Sequence, residues 1–182
     1  MNKYGIKDYI KSDVIRYRGK FTVKNFLVLF AFNKGFRVTF WFRMAQSQAF
    51  GNRVVRGIAR LSQLRTGIQL GIDTKIGYGL YIGHSGPIVV NPGTTIGNNV
   101  NISQFTTIGS NSNRFAKIGN NVYIGPGVSV VEGVLIGDNA TIGAGSVVTK
   151  DIPSKATAAG NYAKVLNYNQ PGRYINNKWR EI

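Results

Sequence analysis

The sequence predicts a parallel β-helix of hexapeptide repeats carried behind a short helical segment. Three observations predict it. An aliphatic residue recurs every six positions through the second half of the chain. Glycine, often with asparagine, follows most of those residues. Before the repeat begins, residues 8–66 read as helical instead, with arginines at helical spacing and apolar residues between them.

The repeat anchors are Leu70, Ile76, Ile82 and Ile88, then Ile96, Ile102 and Ile108, then Ile118, Ile124, Val130, Ile136, Ile142 and Val148. Six residues make one short strand and one tight corner. The aliphatic side chain points into the core. Corner runs such as Gly97-Asn98-Asn99, Gly119-Asn120-Asn121 and Gly137-Asp138-Asn139 suit backbone angles that most residues avoid. Three such strands close an 18-residue triangular coil, and stacked coils align their Ile and Val into ladders. A β-sandwich would alternate with period two and would not hold a fixed six-residue step. The step is broken at Val89–Thr95 and at Ser110–Lys117. Extra residues in a solenoid are extruded as loops, which are common binding positions. The expected organisation is a basic, aromatic-rich helical segment over 1–66, a β-helix domain over 67–160 with an extruded loop at 110–117, and a polar, irregular tail over 161–182.

In the first segment Arg53, Arg56 and Arg60 lie at helical spacing, and Ser12-Asp13 is read as a helix cap. This segment holds 14 Lys/Arg against Asp8 and Asp13, within a chain whose net charge is +16. Lys34, Arg37 and Arg43 beside Phe36, Phe40, Trp41 and Phe42 suit an anionic membrane surface. The apolar run Phe26–Phe32 is too short to span a bilayer, which takes about 20 apolar residues. It also starts too late for a signal peptide. Nucleic acid is not expected, because no recognisable binding module accompanies the charge. The chain has no cysteine and one histidine, which excludes thiolate chemistry and any metal site built from several histidines of one chain.

The stretch Tyr81-Ile82-Gly83-His84-Ser85-Gly86-Pro87-Ile88, together with Ile142–Val148, Ile152-Pro153 and Thr157–Gly160, resembles the serine acetyltransferase family. So do Ser12–Ile15 and Lys34–Arg43 upstream, and the resemblance spans roughly residues 12–166. It implies a left-handed β-helix, a homotrimer with active sites between subunits, and acetyl-CoA as donor without a metal. Relatives of this family O-acetylate sugars in capsule and exopolysaccharide pathways, and they too carry short N-terminal segments. The reading adopted from this is a cytoplasmic O-acetyltransferase, peripheral to the inner face of the membrane, acting on a sugar or polysaccharide precursor. The alternative is serine O-acetyltransferase. A non-catalytic β-helix scaffold is the rival from another class.

Acyl transfer to a hydroxyl needs a base, and histidine, with a pKa near 6.5, suits that role. The family's catalytic histidine matches His84. The developing oxyanion is expected to meet backbone N–H groups. For the acceptor, the resemblance points to Asp13 and to Arg114 in the extruded loop. Coil counting adds Gln104, one coil from His84, with Pro126 one coil further. For CoA it points to Pro126, Ala144 and Gly145, with Ala158, Ala159, Gly160 and Lys164 nearby. Lys150 and Lys155 are further candidates for its phosphates. Three positions depart from the family pattern: Gly83 and Gln69 stand where acids are expected, and Phe115 stands where a second histidine is expected.

Overall fold

The computed structural model describes residues 5–47 and 49–180. Four helices come first: α1 (Ile6–Arg18), α2 (Val23–Phe32), α3 (Lys34–Gln46) and α4 (Arg53–Thr66). The side chains of Thr22, Asn33 and Asn52 accept from Asn25, Phe36 and Val55 N–H groups and so start α2, α3 and α4. Gly67, at φ 73°, ends α4 in the left-handed region that glycine adopts without strain.

The chain then winds into a left-handed parallel β-helix of about five turns. One wall stacks β1 (Ile68–Leu70), β3 (Ile88–Val90), β6 (Thr107–Ile108), β9 (Ser129–Val130) and β12 (Val147–Val148). The second stacks β2 (Lys75–Ile76), β4 (Thr95–Ile96), β7 (Lys117–Ile118) and β10 (Leu135–Ile136), with Ile152 bridged to Ile136. The third stacks β5 (Asn101–Ile102), β8 (Tyr123–Ile124), β11 (Thr141–Ile142) and β13 (Thr157–Ala159), with Tyr81 bridged to Asn101. Every inward position is buried: Leu70, Val90, Ile108, Val130 and Val148 on the first wall, and equivalent ladders on the others. Continuous aliphatic ladders of this kind give each coil its core only through its neighbours.

The register moves one interruption. Leu70 lies opposite Val90, so Val90 holds the anchor position after Ile82 and the step from Val90 to Ile96 is regular. The two extra residues therefore fall in the corner between Ile82 and Ile88, not in Val89–Thr95. That corner contains His84. The second interruption stands where the spacing put it, except that Lys117 is already in a strand and the loop closes at Ala116.

A solenoid leaves its first coil with unpaired backbone groups, and edges of that kind invite unwanted pairing. Here polar side chains of the helices satisfy them. Gln63 accepts from Leu70 N–H and donates to Leu70 C=O, both at 3.1 Å, as a neighbouring strand would. Gln46 donates to the carbonyls of Ile72 and Thr74. Arg43 donates to the carbonyls of Ile76 at 2.7 Å and Gly77 at 2.6 Å. Ser12 and Asp13 accept from Gly79 and Leu80 N–H. The Tyr17 hydroxyl both accepts from Ile82 N–H and donates to Ile82 C=O. Burial pushes that hydroxyl's pKa up, which keeps its proton in place. Beneath this polar layer Phe36 and Phe42 are fully buried, with Val38 and Phe42 joining the ladder core. Phe36, Phe42 and Arg43 therefore face the protein interior and offer nothing to a membrane.

The tail also differs from expectation. Lys164–Asn167 forms β14, antiparallel to β13. The remaining residues run back down one corner of the solenoid. Gly172 N–H donates to Asn139 C=O, Asn101 donates to Tyr174 C=O, and Trp179 exchanges two bonds with the Asn99 side chain. Asn177 reaches the last turn of α1 by donating to Arg16 C=O. Composition reads as irregular here because the partners are backbone groups and corner asparagines distant in sequence.

Candidate active site

The lengthened corner Gly83–Pro87 places His84 on the outside of the first coil, exposed to solvent. Beside it lies a cavity of about 130 Å³ lined by Tyr81, Gly83, His84, Asn101, Ile102, Ser103 and Tyr123. Its walls are the outward side chains of the third sheet. Tyr81 packs on Tyr17 with ring centroids 4.4 Å apart and planes tilted by 39°, and Asn101 binds the Arg16 guanidinium and Tyr174 C=O. Burial lowers the Arg16 pKa to about 10, the opposing pull of neighbouring Tyr17, Tyr81 and Asp13 notwithstanding. The helical segment thus fixes two walls of this cavity through residues of α1.

Gly83 has a steric reason. A Cβ there would lie 2.9 Å from a carbon of the Tyr81 ring. The space an acid would occupy in the family pattern is taken by that ring. Among the described residues no hydrogen bond holds the imidazole of His84.

Most predicted residues gather on one corner ladder above His84. Gly127 N–H donates to Gln104 C=O and Gly145 N–H donates to Pro126 C=O, so Gln104, Pro126 and Gly145 lie on successive coils. Gln104 is one coil from the His84 corner, as counting predicts, but its side chain lies against Gly86 because of the two extra corner residues. Among the described residues its buried Oε1 has no hydrogen-bond partner. At about 4.8 Å per coil, Gly145 is roughly 14 Å up the axis from His84. Ala144 and Gly145 are exposed, and a side chain at Gly145 would stand in open space. Gly145 also has φ 68°, so only glycine keeps that stretch of corner both relaxed and bare. Ala159 and Gly160 continue the ladder, and Lys164 pairs with Ala159 across the terminal hairpin. The ladder therefore presents a strip of small, exposed residues with Lys164 at its far end. Ala158 does not join it, because its side chain is in the core and its carbonyl accepts from Gly143. Lys150 and Lys155 sit on the other two corners, away from this strip.

Two predicted acceptor residues are elsewhere. Asp13 is 1% exposed, paired with Arg43 at 3.1 Å, and also bonded to Leu80 N–H. Burial raises its pKa against the pull of Arg43. Its oxygens serve the solenoid edge, which corrects both the acceptor and the helix-cap expectations. Arg114 lies on a different corner from His84, in the extruded loop, where it is exposed and within 3.7 Å of Glu132. Glu132 accepts from Asn111 N–H, and Ser110 donates to Arg114 C=O, so the loop is folded on itself. Phe115 covers Gly93 at the loop's base. Gln69 is exposed on the outside of β1. Among the described residues, no group of three or more His, Cys, Asp or Glu could hold a metal ion.

Sequence reasoning missed Tyr17, Tyr81 and Asn101 as site residues. The signal available was the tyrosine beside the histidine motif. The contact from α1 is 65 residues away in sequence and leaves no local trace.

Comparison with known proteins adds four findings. Residues 115–150 match the family model described as bacterial transferase hexapeptide, six repeats. A serine acetyltransferase of Helicobacter pylori is 35% identical over 117 residues, covering 62% of this chain and 68% of the relative. Among solved structures, soybean serine acetyltransferase complexed with serine superposes with a TM-score of 0.75 at 28% identity, covering 89% of this chain and 70% of that one. A serine acetyltransferase in complex with CoA superposes with a TM-score of 0.72 at 28% identity, covering 88% and 69%. These findings overturn the sugar or polysaccharide reading, together with its capsule branch, and favour the alternative.

Proposed function

The chain belongs to the hexapeptide-repeat serine acetyltransferase family, an acetyl-CoA-dependent acyltransferase group, and on that premise we propose that it transfers acetyl to the hydroxyl of L-serine. One observation carries the reading: the only histidine of the chain stands at the foot of the bare corner ladder, in the corner that two extra residues lengthen. Donor and base are thereby brought to one line.

His84 accepts the proton of the serine hydroxyl as that oxygen attacks the thioester carbonyl. Collapse of the tetrahedral intermediate expels the CoA thiolate, and the proton on His84 passes to the sulfur. The products are O-acetyl-L-serine and free CoA. The donor lies along Pro126, Ala144, Gly145, Ala159 and Gly160, with Lys164 meeting its phosphates. Gln104 faces the reacting end of that line. Arg114 contributes from a neighbouring subunit. In one chain it is on a different corner from His84, so a site that uses both needs two chains, and a closed trimer supplies three such pairs.

Release of free thiol from acetyl-CoA in the presence of L-serine, with O-acetylserine identified as product, tests this. His84→Asn should lower kcat by roughly 10²–10⁴, the usual contribution of a positioned base, with KM little changed. Wild-type protein that leaves L-serine unacetylated, or a His84→Asn variant with undiminished kcat, would overturn it.

A further inference from the structure

The helix α4 turns its apolar side to water. At 100° per residue, Val54, Ile58, Leu61 and Leu64 form one stripe, and all four are exposed, Val54 and Leu64 by about 70%. The opposite side, which packs on the protein, is small or polar: Ala59 is buried, and Val55, Ser62, Gln63 and Thr66 are half-buried. An amphipathic helix packed for the protein's own benefit would face the other way. Exposed Arg53 and Arg60 border the stripe and exposed Arg65 lies within it. Next to it, Lys34, Arg37 and Trp41 of α3 join Ile58, Leu61 and Arg65 in an open groove of about 460 Å³, which shares no lining residue with the cavity beside His84.

We propose that this face of α3 and α4 lies on an anionic phospholipid bilayer, with the α4 stripe in the acyl boundary and lipid phosphates between Lys34, Arg37 and Arg65. Charge selects this occupant over a second copy of the chain. Residues 14–72 contain 11 Lys/Arg, of which only Arg16 and Arg43 are buried, and no Asp or Glu, so the same face on another copy would set cation against cation. The whole chain has 23 Lys/Arg and seven acids, so its other surfaces are poor in matching charge too. An anionic lipid surface supplies what the face lacks, and a Trp beside a Lys/Arg-rimmed apolar stripe suits the headgroup boundary. Among the described residues no helix is long and apolar enough to cross a membrane, so the contact is peripheral. The surface differs from the aromatic run that the sequence suggested, because Phe36, Phe42 and Arg43 are interior.

Co-sedimentation of the full chain with vesicles tests it, comparing phosphatidylcholine alone with an equimolar phosphatidylcholine–phosphatidylglycerol mixture. The expected result is binding to the mixed vesicles only, weakened by salt. Arg60→Gln with Arg65→Gln should weaken partition roughly 25-fold at low salt, about fivefold per charge. Leu61→Gln with Leu64→Gln, which keeps every charge, should weaken it at least about tenfold. Acetyl transfer in free solution should be unchanged in both variants, which separates this proposal from the acceptor assignment. Absence of vesicle binding by the wild type, or unaltered binding by the leucine variant, would overturn it. So would a solution mass that falls in the leucine variant, because a second copy would then own the face.

Discussion

Replacing Asp13 by asparagine removes one charge from an ion pair that has almost no access to water. Arg43 is 2% exposed and Asp13 1%, and they meet at 3.1 Å. The amide oxygen of asparagine can still accept from Leu80 N–H, so the loss is confined to the pair. Removing one partner of a buried pair costs about 3–5 kcal/mol, because the other charge is left unpaired in the interior. For a chain of this size, each kcal/mol shifts Tm by about 2–4 °C, so the variant should melt roughly 6–20 °C lower. An exposed pair would contribute about 0–1 kcal/mol and hardly move the transition. Arg43 also donates to Ile76 and Gly77 carbonyls, so its own removal leaves those edge groups bare. The combination Asp13→Leu with Arg43→Met should therefore be less damaging than the sum of the two single changes. Thermal and urea unfolding measure the stabilities, and steady-state kinetics with L-serine supplies the contrast. A variant that keeps wild-type Tm but loses acceptor affinity would refute the edge-cap reasoning and return Asp13 to the acceptor.

The Gly83→Ala variant should cost about 1–3 kcal/mol and lower kcat, since the new methyl meets the Tyr81 ring at 2.9 Å and that ring is backed by Tyr17; wild-type values of both Tm and kcat would show the ring free to swing. Acid should loosen the loop at 110–116. Hydrogen bonds from Ser112 and the Asn111 N–H hold the Glu132 carboxyl below its usual pKa, so its contribution is present above an unfolded value of about 4.3 and is lost as pH falls through the lower folded value. Hydrogen exchange at the Asn111 amide should therefore speed up, beyond the intrinsic pH effect, only in that acid window, and Glu132→Gln should abolish the excess.

The solenoid was readable because its period is a steric necessity repeated coil after coil. One six-residue step determines the corner, the strand and the inward residue together. The first interruption was misplaced because Ile88 and Val90 are both buried aliphatics, two apart on one face of the same strand. Either can serve as the anchor in sequence. Pairing of Ile88 with Ile68 and of Val90 with Leu70 decides between them, and that choice depends on contacts made 20 residues away. Asp13 shows the same limit more sharply. A carboxylate on a basic helix reads as a cap or a ligand. Its actual partners, Arg43 and the edge at Leu80, are 30 and 67 residues distant. The bare corner, by contrast, was visible residue by residue, since an absence of side chains at Gly145 and Gly160 needs no partner to be recognised.

The edge cap and the His84 corner are one structure. Tyr17 bonds both backbone groups of Ile82, two residues before His84, and its ring backs Tyr81 in the cavity wall. Arg16, one residue earlier on α1, holds Asn101 in the opposite wall. A small shift of α1 must therefore move the frame around His84 as well as the solenoid edge. The corner ladder above it is built differently: Pro126, Gly145 and Gly160 hang on backbone ladders made wholly by later coils and the terminal hairpin. Substitutions in α1 should then act on the acceptor and on proton transfer, while changes in the last two coils act on the donor. The proposed reaction therefore has its two substrates meeting where the helical segment and the repeat share their first coil, with His84 in that coil.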